Sequence, residues 1–141
     1  MSKKFYGFLD IVCTPIVPQG LQTKIIKNAL EDNNLELSFY TTESHTTFKN
    51  MSILKQKLSE KNNFKGFAFF SVLQFAYKDK FDLSLLNKVI KKYNCLFVRE
   101  NIFIKNINDL KSLEKELILF PTTNYILINN LKENFLSITK K

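Results

Sequence analysis

The chain has 141 residues, of which 45% are hydrophobic and 24% charged, and it carries a formal net charge of +8. This composition is typical of one globular domain and excludes an intrinsically disordered chain. No apolar stretch approaches the roughly 20 residues of a membrane-spanning helix, and the N-terminus lacks the apolar core of a signal peptide, so a cytoplasmic protein is expected.

The positive charge is almost entirely lysine, and Arg99 is the single arginine. The lysines are spread along the chain, and asparagine is abundant as well. An AT-rich genome produces this bias whatever the function, so the charge favours nucleic-acid binding only weakly. Arg99 is notable because only arginine offers a planar fork for a carboxylate or phosphate.

Apolar runs predict four strands, at residues 5–12, 35–40, 64–75 and 95–98. The third run carries a charge only at Lys65, which indicates a strand covered on both faces. Residues 102–104 either extend the fourth strand or form a separate short one.

Helical spacing of apolar residues predicts a helix after each strand. The apolar positions are, in turn, Leu21, Ile25, Ala29 and Leu30; Met51, Leu54 and Leu58; Leu86, Val89, Ile90 and Tyr93; and Ile107, Leu110, Leu113 and Leu117. Asn50 or Ser52 is expected to cap the second helix, and Asp82 the third.

This alternation of strands and helices predicts right-handed βαβ units and therefore a parallel sheet. We expect a single three-layer α/β domain over residues 1–141, with four or five parallel strands in the flavodoxin-like order 2-1-3-4. The core units cover residues 1–118. An apolar helical tail at 119–141 either closes this core or forms a homodimer contact.

Ligands of parallel α/β sheets bind at the carboxyl ends of the strands. Polar residues follow all four predicted strands: Thr14 and Gln22 the first, Thr41, Glu43 and His45 the second, Ser71 and Gln74 the third, and Arg99 and Glu100 the fourth. Because parallel strands end at one edge of a sheet, these residues are expected to converge on a site. Each of these residues also has a structural alternative. Ser71 could cap the backbone, and His45 and the two glutamates could lie in solvated loops. Arg99 could form an ion pair with Glu43 or Glu100.

The motifs of several common sites are missing. The loop after the first strand has no GxGxxG and no GK[ST], which disfavours a nucleotide held on a glycine-rich turn. Asp10 stands without the acidic neighbour of a receiver domain, and no His/Cys/carboxylate cluster has metal-ligand spacing. Cys13 and Cys95 are expected to be buried free thiols. No cofactor and no metal is predicted.

Five short motifs within residues 5–118 resemble, taken together, the small bacterial proteins of the sporadic carbohydrate cluster family. They are YGF in the first strand, PxxxQ from Pro18 to Gln22, TTE ending at Glu43, FFSxxxF around Ser71 and VREN around Glu100. That family is encoded within surface-polysaccharide and O-antigen loci, so the resemblance implies a carbohydrate pathway rather than a reaction. Its members carry an arginine just after the first strand, where this chain has Cys13 and Thr14.

The strand and helix order is also similar to the catalytic domain of serine recombinases. That resemblance implies a related fold, and DNA cleavage by a serine at the end of the first strand. Cys13 and Thr14 occupy that place here, and the supporting arginines are missing, so the likeness extends to the fold and not to the reaction.

Three hypotheses of function follow. The first is an enzyme or accessory protein of surface-glycan biosynthesis that binds a sugar or nucleotide sugar, with Glu43, Glu100 or His45 as acid or base. In it, Arg99 holds a phosphate or carboxylate, and hydroxyl groups bind the four uncharged residues Ser71, Gln74, Gln22 and Thr14. The second is a non-catalytic assembly module, and the third a recombinase-like nucleic-acid-binding domain.

Overall fold

The computed structural model describes residues 3–77 and 80–119. Its elements are β1 (Lys4–Leu9), α1 (Gln19–Asp32), β2 (Glu36–Thr42), α2 (Ser52–Ser59), β3 (Gly66–Phe69), a 3-10 helix (Val72–Phe75), β4 (Ala76–Tyr77), β5 (Lys80–Phe81), α3 (Leu83–Ile90), β6 (Asn94–Phe97) and β7 (Ile102–Ile104), followed by α4 over residues 107–119. The predicted tail at 119–141 lies, apart from its first residue, outside the described residues. Within the described ranges, no helix combines the length and the apolar character needed to cross a bilayer.

The main sheet has five strands in the order β2-β1-β3-β6-β7. The first four are mutually parallel, which confirms an α/β protein with a mostly parallel sheet. The option of a fifth parallel strand is wrong, because β7 runs antiparallel to β6. The connection between them is a tight turn closed by Asn101 N–H donating to the Val98 carbonyl, and a turn this short has no room for the crossover that a parallel strand needs.

Helices cover both faces of this sheet. Alternate residues of β1 point to opposite sides: Phe8 lies in a core with residues of α2, α3 and α4, whereas Phe5 lies in a second core with Ile26 and Leu30 of α1. The first core contains five buried phenylalanines, and the Phe69 ring is stacked between those of Phe8 and Phe97, at centroid distances of 5.4 and 5.6 Å.

The third strand is shorter than its apolar run predicts. β3 ends at Phe69, and residues 72–75 form the 3-10 helix instead of continuing the strand. Ser71 starts that helix through a capping box, in which its hydroxyl accepts from Leu73 N–H and the Gln74 side chain accepts from Ser71 N–H. The two polar residues in the run therefore end the strand, because their side chains offer the backbone a helical alternative.

The buried face of α1 is also rotated from its predicted position. Leu21 is 49% exposed, whereas Gln22, Ile26 and Leu30 are fully buried. Gln22 is bound to the backbone at the end of β1. This polar contact sets the orientation of the first turn of the helix, which apolar spacing alone could not indicate.

The two predicted caps had different outcomes. The cap of α3 is confirmed, because Asp82 Oδ1 accepts from Leu85 N–H over 3.0 Å. The cap of α2 by Asn50 or Ser52 is wrong: the helix follows Met51, which has a left-handed backbone (φ 49°), and no neighbouring side chain caps it. The carboxylate of Glu43 takes that role instead.

Candidate functional site

The carboxyl ends of β1, β2, β3 and β6 lie along one edge of the sheet, because these strands are parallel. The polar residues predicted after the strands lie near that edge, some in loops and others in β2, in the first turn of α1 or in the 3-10 helix. Their side chains divide into two groups. One group binds other protein groups, the other lines a cavity, and Glu43 and Gln74 do both.

Ser71 and Glu100 contact each other across this edge. The Ser71 hydroxyl donates to Glu100 Oε2 over 2.7 Å, and Val72 N–H donates to Oε1 of the same carboxylate over 2.9 Å. Glu100 thus joins the turn after β6 to the 3-10 helix after β3. Both of its oxygens are occupied within the protein.

Gln74 and Gln22 hold the end of β1 from two sides. Gln74 Nε2 donates to the carbonyls of Phe8 and Leu9 over 3.1 and 3.2 Å. Gln22 Oε1 accepts from Asp10 N–H over 2.7 Å, and its Nε2 donates to the Asp10 carbonyl over 3.1 Å. Both side chains form hydrogen bonds with the backbone at the carboxyl end of β1, and so they fix the position of residue 10.

Thr14 and His45 have peripheral positions. The Thr14 hydroxyl donates to the Asp10 carbonyl over 3.2 Å, which closes the loop after β1. His45 is exposed in the loop after β2 and does not line the cavity described below.

Glu43 is buried and caps the N-terminus of α2. Its Oε1 accepts from Ile53 N–H and its Oε2 from Leu54 N–H, each over 3.0 Å. These amides have no partner inside the helix, and a carboxylate at this end also complements the helix dipole. The immediate role of Glu43 is therefore to attach α2 to the loop after β2.

A cavity of about 280 Å³, which we call the strand-end cavity, opens at the same edge. Its lining consists of Leu9, Asp10, Ile11, Val12, Cys13, Ile16, Glu43, Phe48, Met51, Leu73, Gln74, Ala76, Tyr77 and Arg99. Most of these side chains are apolar, and the charged ones are Asp10, Glu43 and Arg99. Since the Glu43 carboxylate binds α2, Asp10 and Arg99 are the charged groups of this lining that remain to contact a ligand.

Asp10 directly follows β1 and is only 8% exposed. Its Oδ1 accepts from the N–H groups of Val12 and Cys13 over 3.1 and 3.3 Å, and no described residue donates to Oδ2. Burial raises the pKa of Asp10, and the two backbone hydrogen bonds and the charge of Arg99 offset only part of that increase. A carboxyl group in this state can bind a ligand hydroxyl and exchange a proton with it.

Arg99 brings a positive charge to the same cavity. It is exposed, and its guanidinium forms neither a salt bridge nor a hydrogen bond with a described residue. The alternative that it pairs with Glu43 or Glu100 is therefore not what the structure shows. Its backbone is fixed, since Arg99 N–H donates to the Phe70 carbonyl over 2.9 Å.

Cys13 lines the cavity as a half-buried free thiol, and Cys95 is buried in the core. Burial and the nearby charge of Asp10 raise the pKa of the Cys13 thiol. A nucleophilic cysteine has the opposite property, a lowered pKa that favours the thiolate. Cys13 therefore lacks the electrostatic environment of an activated nucleophile.

Asp10 was not predicted as a site residue. It was considered only as a member of the acidic pair that a receiver domain needs, and its partner is missing. A usable signal was present. Asp10 is the only charged residue in the apolar run 5–12, and it stands toward the carboxyl end of that run. A charge in such a place is unfavourable for folding and indicates a residue retained for another reason.

We expect Asp10→Asn to raise the thermal stability of the protein at neutral pH. Because the folded-state pKa of Asp10 is raised, the unfolded chain releases this proton first, and stability falls as the pH rises from the unfolded to the folded pKa. The difference in Tm between variant and wild type should therefore grow with pH across that window, which thermal unfolding at a series of pH values would measure. Asp32→Asn, at an exposed aspartate of α1, is the matched control, and a pH-independent difference for Asp10→Asn would contradict the expectation.

Comparisons of the chain with protein-family models, with curated proteins and with solved structures found no match.

Proposed function

We propose that the strand-end cavity binds a sugar phosphate or nucleotide sugar, and that Asp10 acts on it as a general acid or base. One observation carries this proposal: one mainly apolar cavity at the carboxyl ends of the strands is lined both by Asp10, a buried residue with one carboxyl oxygen that no described residue donates to, and by Arg99, whose guanidinium forms no salt bridge with a described residue. The resemblance of five short sequence motifs to carbohydrate-cluster proteins supports the choice of ligand class.

Asp10 has the geometry of an acid or base. Two backbone N–H groups orient its carboxyl through one oxygen, and the other oxygen is left for a ligand hydroxyl. The raised pKa brings this group closer to the range in which a carboxyl group both accepts and donates protons. In this proposal Glu43 and Glu100, whose oxygens bind backbone amides and Ser71, support the site without contacting the ligand.

Arg99 supplies the group that binds an anion. A guanidinium can form two parallel hydrogen bonds with a phosphate or carboxylate. Because Arg99 is exposed and Asp10 is buried, the anionic group of the ligand would lie at the mouth of the cavity and its hydroxyl groups deeper inside.

Two aromatic rings form part of the wall. Phe48 and Tyr77 meet edge to face with ring centroids 6.3 Å apart, and both line the cavity. Apolar and aromatic walls with a few fixed polar groups are typical of small-ligand sites, and the C–H face of a sugar ring or a nucleobase suits such a wall.

A thermal-shift screen of the purified protein against sugar phosphates, nucleotide sugars and free nucleotides tests the proposal. A ligand that binds only the folded state at about 100 times its Kd adds about 2.7 kcal/mol of stability, which corresponds to a rise in Tm of roughly 5–10 °C for a chain of this size. Loss of a charge-assisted contact in Arg99→Gln should weaken binding by about 10- to 100-fold, whereas Lys24→Gln, on the exposed face of α1, should leave it unchanged.

The absence of a shift with all three ligand classes would overturn the proposal. A shift that Arg99→Gln does not reduce would remove Arg99 from the site. Asp10→Asn should preserve part of the binding, and its shift must be measured against its own ligand-free Tm because the substitution changes stability by itself.

A non-catalytic assembly module is the second candidate, and the edge strand β2 favours it. This strand pairs with β1 alone among the described strands, and its Phe39 and Tyr40 side chains are 63% and 56% exposed. Exposed apolar edge strands readily pair with another chain. If the ligand screen fails and sedimentation shows a dimer that Phe39→Lys dissociates, this candidate would replace the first.

A further inference from the structure

We infer that the ligand extends beyond the strand-end cavity, and that a phosphate or diphosphate group of it binds between Lys49 and Lys80 in a second cavity. This inference depends on the proposed function, since it extends the same site. The second cavity also has a volume of about 280 Å³. It shares four lining residues with the first, namely Met51, Gln74, Ala76 and Tyr77.

The shared lining residues make the two cavities direct neighbours. Tyr77 is central to this wall, because its ring lies beside Phe48 of the first cavity and Lys49 of the second. In this inference, a ligand that packs on Tyr77 from the strand-end cavity continues past the ring into the second cavity.

Two lysines are neighbours of Tyr77. Lys49 Nζ lies 5.3 Å from the centroid of the Tyr77 ring, a distance at which a cation is attracted to the ring face. Lys80 is the cross-strand partner of Tyr77 in the β4–β5 pair, and directly opposed residues of an antiparallel pair project to the same face. Neither lysine forms a salt bridge with a described carboxylate.

The charge of the second cavity favours an anion. Its charged lining residues are Lys49, Lys80 and Asp82, and Asp82 Oδ1 is engaged as the cap of α3, where it accepts from Leu85 N–H. Because two ammonium groups outnumber this one carboxylate, the net charge of the lining is positive. A phosphate or diphosphate fits it better than a carboxylate does, because its three or more acceptor oxygens can bind both lysines at once.

Two anion-binding places then lie on one ligand path, Arg99 at the first cavity and the lysine pair at the second. This arrangement favours a nucleotide sugar or a bisphosphorylated sugar over a sugar monophosphate. The lysine pair is the feature that favours these ligands over a sugar monophosphate.

Calorimetric titration with inorganic pyrophosphate tests the inference directly. The probe is expected to bind the wild-type protein, with an affinity that falls as NaCl is raised. The double variant Lys49→Gln/Lys80→Gln should bind it about tenfold or more weakly, and Arg99→Gln is titrated beside it because Arg99 is the other proposed anion-binding group. Lys24→Gln/Lys27→Gln, which removes two exposed lysines of α1, is the charge-matched control.

Equal loss of pyrophosphate binding in the α1 double variant would show that the effect is one of net charge and would overturn the inference. Loss in Arg99→Gln without loss in the Lys49/Lys80 variant would also overturn it, while leaving the proposed function intact. If pyrophosphate binds through the lysines but the ligand screen on the strand-end cavity fails, the proposed function fails and the anion site stands.

Discussion

Replacing Gly66 with alanine is expected to lower the free energy of unfolding by about 3 kcal/mol. Gly66 begins β3, in the middle of the sheet, between Phe5 of β1 and Asn94 of β6. A Cβ at this position would overlap the Asn94 carbonyl oxygen and would lie 2.8 Å from two ring carbons of Phe5. Neither group can move away from the added Cβ, because the Asn94 carbonyl belongs to the backbone of a paired strand and the Phe5 ring is fully buried.

Urea unfolding followed by circular dichroism would measure this change, with the m-value checking that unfolding stays two-state. Gly20→Ala is the matched control: it lies in α1 with no atom within 4 Å of an added Cβ, so alanine should raise stability by about 0.5 kcal/mol through its helix propensity. A Gly66→Ala protein as stable as the Gly20→Ala protein would mean that β3 does not lie as close to its neighbours as described.

Replacing Glu43 with alanine should destabilise the protein by about 2–4 kcal/mol. The substitution removes two charge-assisted hydrogen bonds and leaves the N–H groups of Ile53 and Leu54 without their carboxylate. Glu43→Gln keeps one acceptor oxygen but directs an NH₂ group toward a second donor, so its expected cost is about 1–2 kcal/mol. Glu60→Ala removes an exposed glutamate at the other end of α2, and its cost should stay below about 0.5 kcal/mol.

The same urea unfolding separates a structural Glu43 from a catalytic one. If Glu43 is structural, Glu43→Ala should be the less stable variant and Glu43→Gln the more stable one. Ligands should then still raise the Tm of Glu43→Gln. If Glu43→Gln is instead as stable as the wild type but loses the ligand, Glu43 contacts the ligand, and the assignment of acid and base roles would move from Asp10 to Glu43.

Local patterns predicted those parts of the fold that depend on neighbouring residues. Apolar runs located the beginnings of β1, β3 and β6, and helical spacing located α4 through the buried Leu110 and Leu117. The cap by Asp82 needed only the three residues that follow it. Such features follow from sequence because the periods of helix and strand and the geometry of a cap are properties of a short segment.

The same patterns misplaced features that depend on distant partners. The cap of α2 comes from Glu43, ten residues before the amide it binds. The orientation of α1 depends on Gln22, which binds residue 10 at the end of β1. A search limited to adjacent residues, such as Asn50 and Ser52, could not find either contact.

The amino-acid sequence by itself determined the α/β class and the edge of the sheet at which polar residues gather, because parallel strands direct all their carboxyl ends to one side. Only the tertiary structure decided what each of those residues does. Ser71 meets Glu100 across 29 residues of chain, and Gln74 reaches Phe8 across 66, so these side chains satisfy one another and the backbone. Asp10 and Arg99 remain facing the cavity, because the groups that surround a side chain are set by the packing of the whole sheet edge and by no local period of the sequence.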